Sequence, residues 1–184
     1  VTGGTLLLAG TDLHEPIFRR TVVYLIEHND GGSLGVVLNR RTRTPVETGL
    51  PDWTELCASD PVFRLGGPVR LESAICLGVL RDGVAAEDHP EFAPVAGRVV
   101  MVDIDADPQD LEPLLLGARI FVGYAGWTFG QLEGELERDD WMVYPGRDED
   151  VLAPAGIDMW AAVLRRQSPP RSILATHPID LQRN

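Results

Sequence analysis

Nearly unbroken apolar runs, separated by glycine- and proline-rich punctuation, set the rhythm of this chain. "TLLLA" near the start reads as a short buried strand, and Thr21 to Ile26, "TVVYLI", as a second. A third run, "SLGVVLNR", follows directly after "NDGG". Strand, Asn-Asp-Gly-Gly, strand predicts a hairpin, because these turn residues adopt the backbone conformations that a tight reversal needs. Neither arm alternates strictly between apolar and polar positions. That predicts a sheet covered on both faces. "VFRL" before Gly66-Gly67-Pro68, "SAICLGVL", "GRVVMVDI", "RIFVGYA" and "DWMVYP" are further strand candidates.

Helical spacing is rarer. "DWTELCAS" predicts one short helix, with Asp52 as N-cap and Glu55 three residues on. "DPQDLEPLLLGA" starts as a helix capped by Asp107 with Pro108 in the first position, and Pro113 is placed to interrupt it. "TFGQLEGELE" predicts a helix from Thr128, where Gln131 gives capping-box spacing. Leu132 and Leu136 share its inward face, and Glu133 and Glu137 a wet one. "IDMWAAVLRRQ" repeats apolar residues at Ile157, Trp160, Ala161 and Leu164. "GTDLHEPIF", "RTRTPVETGLP" and the stretch from Arg81 to Gly97 read as loops. Strands and helices mix without a regular βαβ beat, which predicts an α+β fold. Residues 1–167 are expected to form one domain. Residues 168–184, rich in proline, are expected to form an extended or partly ordered tail.

Composition narrows the function. With 184 residues, 44% of them hydrophobic, the chain can bury a sizeable core. No apolar run approaches the roughly 18 residues of a membrane span. "GTLLLAG" is too short, and lacks the basic segment, to be a signal peptide. The opening Val1 leads us to expect that native residues precede it. A net charge of −12 disfavours direct nucleic-acid binding. All 16 basic residues are arginine, which excludes chemistry that needs a lysine, such as a Schiff base or a P-loop. Cys57 and Cys76 sit among apolar neighbours and form no disulfide framework. They are expected to be buried free thiols in a reducing cytoplasm.

Several constellations are candidates for chemistry. In "FVGYAGWTFGQLEGELERDDW" a strand feeds a helix through Gly123, Gly126 and Gly130, with Trp127 between them. Free N–H groups at such a helix start attract anions, and an indole can stack on a ligand. The competing reading is a tight turn with the indole in the core, since the spacing matches neither dinucleotide nor P-loop signatures. "EHND" crowds Glu27, His28, Asn29 and Asp30 at the hairpin tip, as polar turn residues or as a site with His28 as base. Arg19 and Arg20 precede one hairpin strand and Arg40 and Arg41 follow the other. Their guanidiniums can gather at one edge, either as an anion site or as a salt-bridged rim. Asp103, Asp105 and Asp107 begin like a calcium loop, but Pro108 and Leu114 stand where glycine and glutamate are required. The four histidines show no metal-ligand spacing, and no metal or cofactor is expected.

Taken together, these segments resemble the YqgE/AlgH family, also designated UPF0301 and DUF179. The ordered pattern runs from "EPIFRRTVVYLIEH" through "GSLGVVLNR" and "LGGPV" to "GYAGWTFGQLEGE" and the following Trp141. It covers Gly4 to about Gln167. Glu15 stands where Asp is usual before Pro16, and Arg41 where Pro commonly follows. The resemblance implies a bacterial cytoplasmic protein with an α+β fold. The sheet is a bifurcated mixed β-sheet including a small closed barrel, flanked by helices. It implies no assigned activity, although some members carry the label of transcriptional regulator. Neither a helix-turn-helix signal nor a basic face supports that label here.

Two readings of function remain open. The first is a non-enzymatic binding or regulatory protein that recognises a small anionic ligand or a protein partner. Its surface would include Pro16, Arg19, Arg20, His28, Asn39, Arg40, Gly66, Gly67, Pro68, Gly126, Trp127, Gln131 and Glu135. The second is a cofactor-independent hydrolase or transferase with His28 as base, Glu27 or Glu135 as its orienting carboxylate, and Arg19 or Arg40 holding an anion. A transcriptional regulator contacting DNA is a weaker third. All share one expectation: that folding brings the arginine edge and the indole of Trp127 onto one concave surface.

Overall fold

The computed structural model of the chain describes residues 1–11, 19–154, 158–167 and 171–176. The loop around Pro16 and the helical position Ile157 lie outside these residues. Ten strands form the framework: β1 (Thr5–Ala9), β2 (Val22–Asn29), β3 (Gly32–Val37), β4 (Arg41–Pro45), β5 (Val62–Leu65), β6 (Val69–Leu80), β7 (Phe92–Ala96), β8 (Val99–Val102), β9 (Leu115–Trp127) and β10 (Trp141–Pro145). The helices are short: α1 (Val46–Gly49), α2 (Pro108–Leu111), α3 (Gln131–Glu137) and α4 (Met159–Arg165). None is long and apolar enough to cross a membrane.

The main sheet runs β10-β1-β2-β3-β9-β6-β8-β7. It curls into a half-barrel. Among the described residues its end strands, β10 and β7, each pair with one neighbour, so the small closed barrel expected from the family resemblance is not completed. The bifurcation is at β9. One edge of β9 pairs with β6. The other pairs with β5 in parallel at Phe121 and Val122, then with β3 antiparallel at Ala125 to Trp127. Gly66 stitches the fork: its N–H donates to the Val122 carbonyl, and its own carbonyl accepts from the Val37 N–H. The chain then steps across β9 to reach the β6 edge. That crossing requires Gly67, because a Cβ there would lie 2.2 Å from the Tyr124 backbone.

The β2–β3 hairpin turns at Asp30-Gly31, where Asn29 pairs with Gly32 as the turn chemistry predicts. Its arms are covered on both faces. Val22, Tyr24 and Ile26 point into one cluster with Leu6, Leu8 and Trp160 of α4. Val23 and Leu25 point into another with Leu7, Trp127 and Leu132 of α3. This is the period of two expected of a strand. A third cluster, around Trp53, Leu56, Cys57, Cys76, Phe92 and Leu111, fills the other half of the sheet.

Two segments read as loops are edge strands. β4 carries mostly exposed side chains, β7 buries Phe92 and half-buries Val95 and Ala96, and they contain Pro45 and Pro94, which short edge positions tolerate. "DWTELCAS" is also corrected: Asp52 lies inside a 3₁₀ turn, Pro51–Trp53, that begins after Leu50. At Thr128 the expected helix starts three residues late, because β9 continues through Trp127 and Gly130 takes the left-handed N-cap conformation. Asp107 and Asp158 cap α2 and α4 through their side chains. Beyond α4, a 3₁₀ segment, Arg171–Thr176, lays Leu174 and Ala175 on the core.

A buried ionic cluster fixes β4 and β5 against β9. Asp60, Arg64 and Arg119 are all buried. Asp60 accepts from Arg41 and Arg64 at 2.8 Å each. Arg119 donates to Ser59 Oγ and to the Leu152 and Ala153 carbonyls. The hydrogen bond from Arg41, with the charges of Arg64, Arg41 and Arg119 added, holds the Asp60 carboxyl below the usual carboxylate range.

Candidate ligand cleft at the hairpin tip

The predicted site residues separate into two groups. Arg19, Arg20, Asn39 and Arg40 lie where β2 starts and β3 ends, as the antiparallel pairing requires. His28, Glu27 and Trp127 lie at the opposite end, where His28 pairs with Ser33 and Ser33 with Trp127. From Val22 to His28 the hairpin spans about 20 Å at strand rise. The single shared surface expected from the sequence is therefore corrected: the length of the hairpin keeps its halves apart.

At the arginine end the polar groups are engaged with the protein itself. Asn39 accepts from the Val22 N–H and donates to the Arg20 carbonyl, both at 2.9 Å. Arg40 donates to the Arg19 carbonyl at 2.6 Å. Burial and the neighbouring Arg19 lower the Arg40 pKa. Arg20 bonds Asp158 and lies 4.2 Å over the Trp160 ring, so its guanidinium ties β2 to the start of α4. These contacts order the entry into β2.

At the other end four elements converge: the β2–β3 tip, the end of β9, α3 and the start of β6. Gly32 permits the approach, since a Cβ there would lie 2.2 Å from the Trp127 carbonyl oxygen, at φ +131°. Between these elements opens a cleft of about 690 Å³. Leu34, Val69, Ile75, Tyr124 and Trp127 supply apolar walls; Glu27, Asn29, Ser33, Ser73 and Thr128 supply polar groups. A smaller cavity of about 280 Å³ adjoins it, lined by Pro68, Gln131, Glu135, Arg138, Asp140 and Trp141. Val69, Gly126 and Trp127 belong to both.

Glu135 sets the indole. Its Oε1 accepts from Trp127 Nε1 at 3.1 Å and from Trp141 Nε1 at 2.9 Å, and the two rings meet edge to face at 6.0 Å. Gln131 accepts from the Thr128 N–H, which uses part of the helix start that was a candidate anion cradle. Gly67 belongs to the backbone crossing. Gly126 is different: an added Cβ would meet the Tyr124 ring at 3.5 Å, an ordinary contact, so the backbone does not demand glycine there. Gly126 lines both cavities.

His28 is oriented by neither carboxylate expected of it. Glu27 accepts from Asn29 at 3.2 Å and Glu135 is held by the indoles. His28 Nδ1 instead lies 2.6 Å from Ser33 Oγ, and Nε2 lies 3.7 Å from Glu133 Oε1. Ser33 and Glu133 were absent from the sequence candidates. A two-residue turn at Asp30-Gly31 places 28 opposite 33, so Ser33 was within reach of pattern reasoning. Nothing local connects Glu133 to His28. Among the described residues, no three His, Cys, Asp or Glu side chains gather as metal ligands.

The comparisons agree with this architecture. The AlgH-like family model (DUF179) matches residues 6–172. A UPF0301 protein of Mycolicibacterium gilvum is 56% identical over 184 residues, covering 100% of this chain and 90% of the relative. One of Mycobacterium tuberculosis is 57% identical, covering 100% and 91%. A crystal structure of a Corynebacterium diphtheriae protein superposes with a TM-score of 0.92 at 36% identity, covering 96% of this chain and 92% of that one. The solution structure of the AlgH protein from Pseudomonas aeruginosa shares the fold, with a TM-score of 0.67 at 24% identity and coverage of 95% and 93%. Fold, family pattern and relatives coincide over nearly the whole chain, which belongs to the AlgH-like UPF0301 family.

Proposed function

We propose that this chain is a binding protein whose working surface is the hairpin-tip cleft, and that its ligand presents an apolar or aromatic group. The observation that carries this reading is the cleft of about 690 Å³ walled by Trp127, Tyr124, Leu34, Val69 and Ile75, beside a second cavity that shares Val69, Gly126 and Trp127 with it. Phe129, 77% exposed beside Thr128, and Leu71, 54% exposed between Val69 and Ser73, extend the apolar character outward. The ligand is a small molecule or a side chain of a partner protein. The small anion expected from the arginines fits less well. Among the described lining residues of the larger cleft none is cationic, whereas Glu27 is acidic. A reducing cytoplasm is the compartment we assign, supported by two buried free cysteines.

A thermal-shift screen of apolar and aromatic probes tests this, because a ligand that prefers the native state raises the melting temperature. The expected result is a hit whose shift is lost in Gly126→Leu while that variant retains its fold. Hits that are indifferent to Gly126→Leu and to Trp127→Phe remove the cleft from consideration.

The second reading, a cofactor-independent hydrolase or transferase using His28, draws on one specific contact: His28 Nδ1 against Ser33 Oγ at 2.6 Å.

A further inference from the structure

A row of paired positions crosses the larger cleft. Glu27 of β2 stands opposite Leu34 of β3, and Leu34 stands opposite Gly126 of β9. Residues directly opposite one another in a ladder share a face, so Glu27 and Leu34 project to the same side of the sheet. Tyr124, two residues before Gly126, joins them there: a Cβ added at Gly126 would lie 3.5 Å from Tyr124 Cε2, so the ring covers the position that the glycine leaves bare. Leu34, Tyr124 and Ile75 pack on one core cluster, and with Glu27 they line the cleft. The next pair along the hairpin, His28 and Ser33, alternates to the opposite face, where His28 meets Glu133 of α3.

The two ends of this row differ in character. The Tyr124 end is aromatic and apolar. The Glu27 end is an exposed carboxylate that accepts from Asn29 Nδ2 at 3.2 Å and, among the described residues, makes no ion pair. Asp30 at the turn and Glu72, next to the lining residue Ser73, are exposed as well. Arg70, beside Val69, is not among the residues that line the cleft. In a chain of net charge −12, such a rim attracts cations and repels anions.

We propose that the cleft binds a small organic cation, a primary amine joined to an aromatic ring by a short aliphatic chain. This ligand class is a narrower form of the binding reading above and rests on it. The ammonium donates to the Glu27 carboxylate, and the ring meets Tyr124 in an offset or edge-to-face contact. The aliphatic chain lies over Leu34, with Ile75 and Val69 beside it. Neighbouring strands lie about 4.8 Å apart, so Glu27 and Gly126 are separated by about 10 Å across the sheet, a spacing that requires a linker between the charge and the ring. A cleft of about 690 Å³ has the volume of a small-molecule site.

The test titrates the full chain calorimetrically with three probes of matched shape: 4-phenylbutylamine, the neutral 4-phenylbutanol and the anionic 4-phenylbutyrate. The amine should bind at least about fivefold more tightly than the alcohol, as the upper range of exposed ion pairs allows, and the carboxylate should bind most weakly. Glu27→Gln should bring the amine to the affinity of the alcohol and leave the alcohol unchanged. Added salt should weaken the amine alone. Glu27 is exposed, so its replacement should keep the melting temperature of the parent chain. Equal affinities for amine and carboxylate, or a preference for the amine that survives Glu27→Gln, overturn the proposal. If the alcohol binds as well as the amine and both are lost in Gly126→Leu and in Tyr124→Ala, the charge selection fails while the cleft stands. If no probe binds, or binding is indifferent to both of those variants, the two fail together.

Discussion

At the scale of single residues, this molecule commits its charged groups to specific structural partners. Glu135 holds two indole N–H groups on one oxygen. Replacing it with alanine leaves both donors without that acceptor on buried residues. The expected cost is about 1–3 kcal/mol in urea unfolding, and less for Glu135→Gln, which keeps a carbonyl acceptor. Asp60 is the more demanding case. It is the carboxylate between buried Arg64 and the half-exposed Arg41, with buried Arg119 close by. Asp60→Asn should lower stability by about 3–5 kcal/mol in the same measurement, because it leaves guanidinium charge buried without its counterion. Neither role was apparent along the chain. A glutamate on a helix and an aspartate after "CAS" look like solvated acids until the partner elements arrive.

At the scale of elements, two glycines in similar-looking turns have opposite meanings. Gly67 lets the chain cross β9, and a Cβ would meet the Tyr124 backbone at 2.2 Å. Backbone cannot swing away as a side chain can, so Gly67→Ala should destabilise by at least about 3 kcal/mol, the upper end of overpacking effects. Gly126→Ala meets only the Tyr124 ring at ordinary contact distance, so its melting temperature should stay close to that of the parent chain. Equal losses in the two variants would contradict this geometry. The hairpin, the strand runs and the cap at Asp107 were legible because turn chemistry, period-two burial and capping act over a few neighbouring residues. β4 was not, since it buries too little to leave an apolar pattern, and β7 was not, since Pro94 breaks its short apolar run. The helix start at Thr128 was misplaced because β9 keeps its pairing with β3 through Trp127.

At the scale of the whole molecule, burial keeps the core thiols and the Tyr24 hydroxyl protonated, while the buried Asp60 cluster stays ionised. Burial pushes the Cys57 thiol up to about 11, against the opposing charge of Arg119. Burial, with Cys57 beside it, raises Cys76 as well. Burial, with Asp148 and Asp150 nearby, raises the Tyr24 hydroxyl. The sign follows from linkage. Below the ordinary thiol value of 9.0 both native and unfolded thiols are protonated, and the native state carries no penalty. Between 9.0 and about 11 the unfolded Cys57 ionises while the native one does not, so stability falls as pH rises through that window. Urea midpoints measured across it should decline, and the decline should be shallower in Cys57→Ala. Native Cys57 and Cys76 should also react with a thiol reagent only as fast as the protein unfolds.

The sequence by itself determined the family, the α+β class and the strands of the hairpin. These depend on side-chain patterning and turn chemistry, and so on interactions between near neighbours. Only the tertiary structure decided that the arginine edge stays a strand's length from the indole, that Glu133 rather than Glu27 or Glu135 faces His28, and that Gly126 lines two cavities. Those outcomes depend on where β9 forks and on how α3 docks over the hairpin tip. Packing between distant segments sets both, and the order of residues within either segment does not encode them.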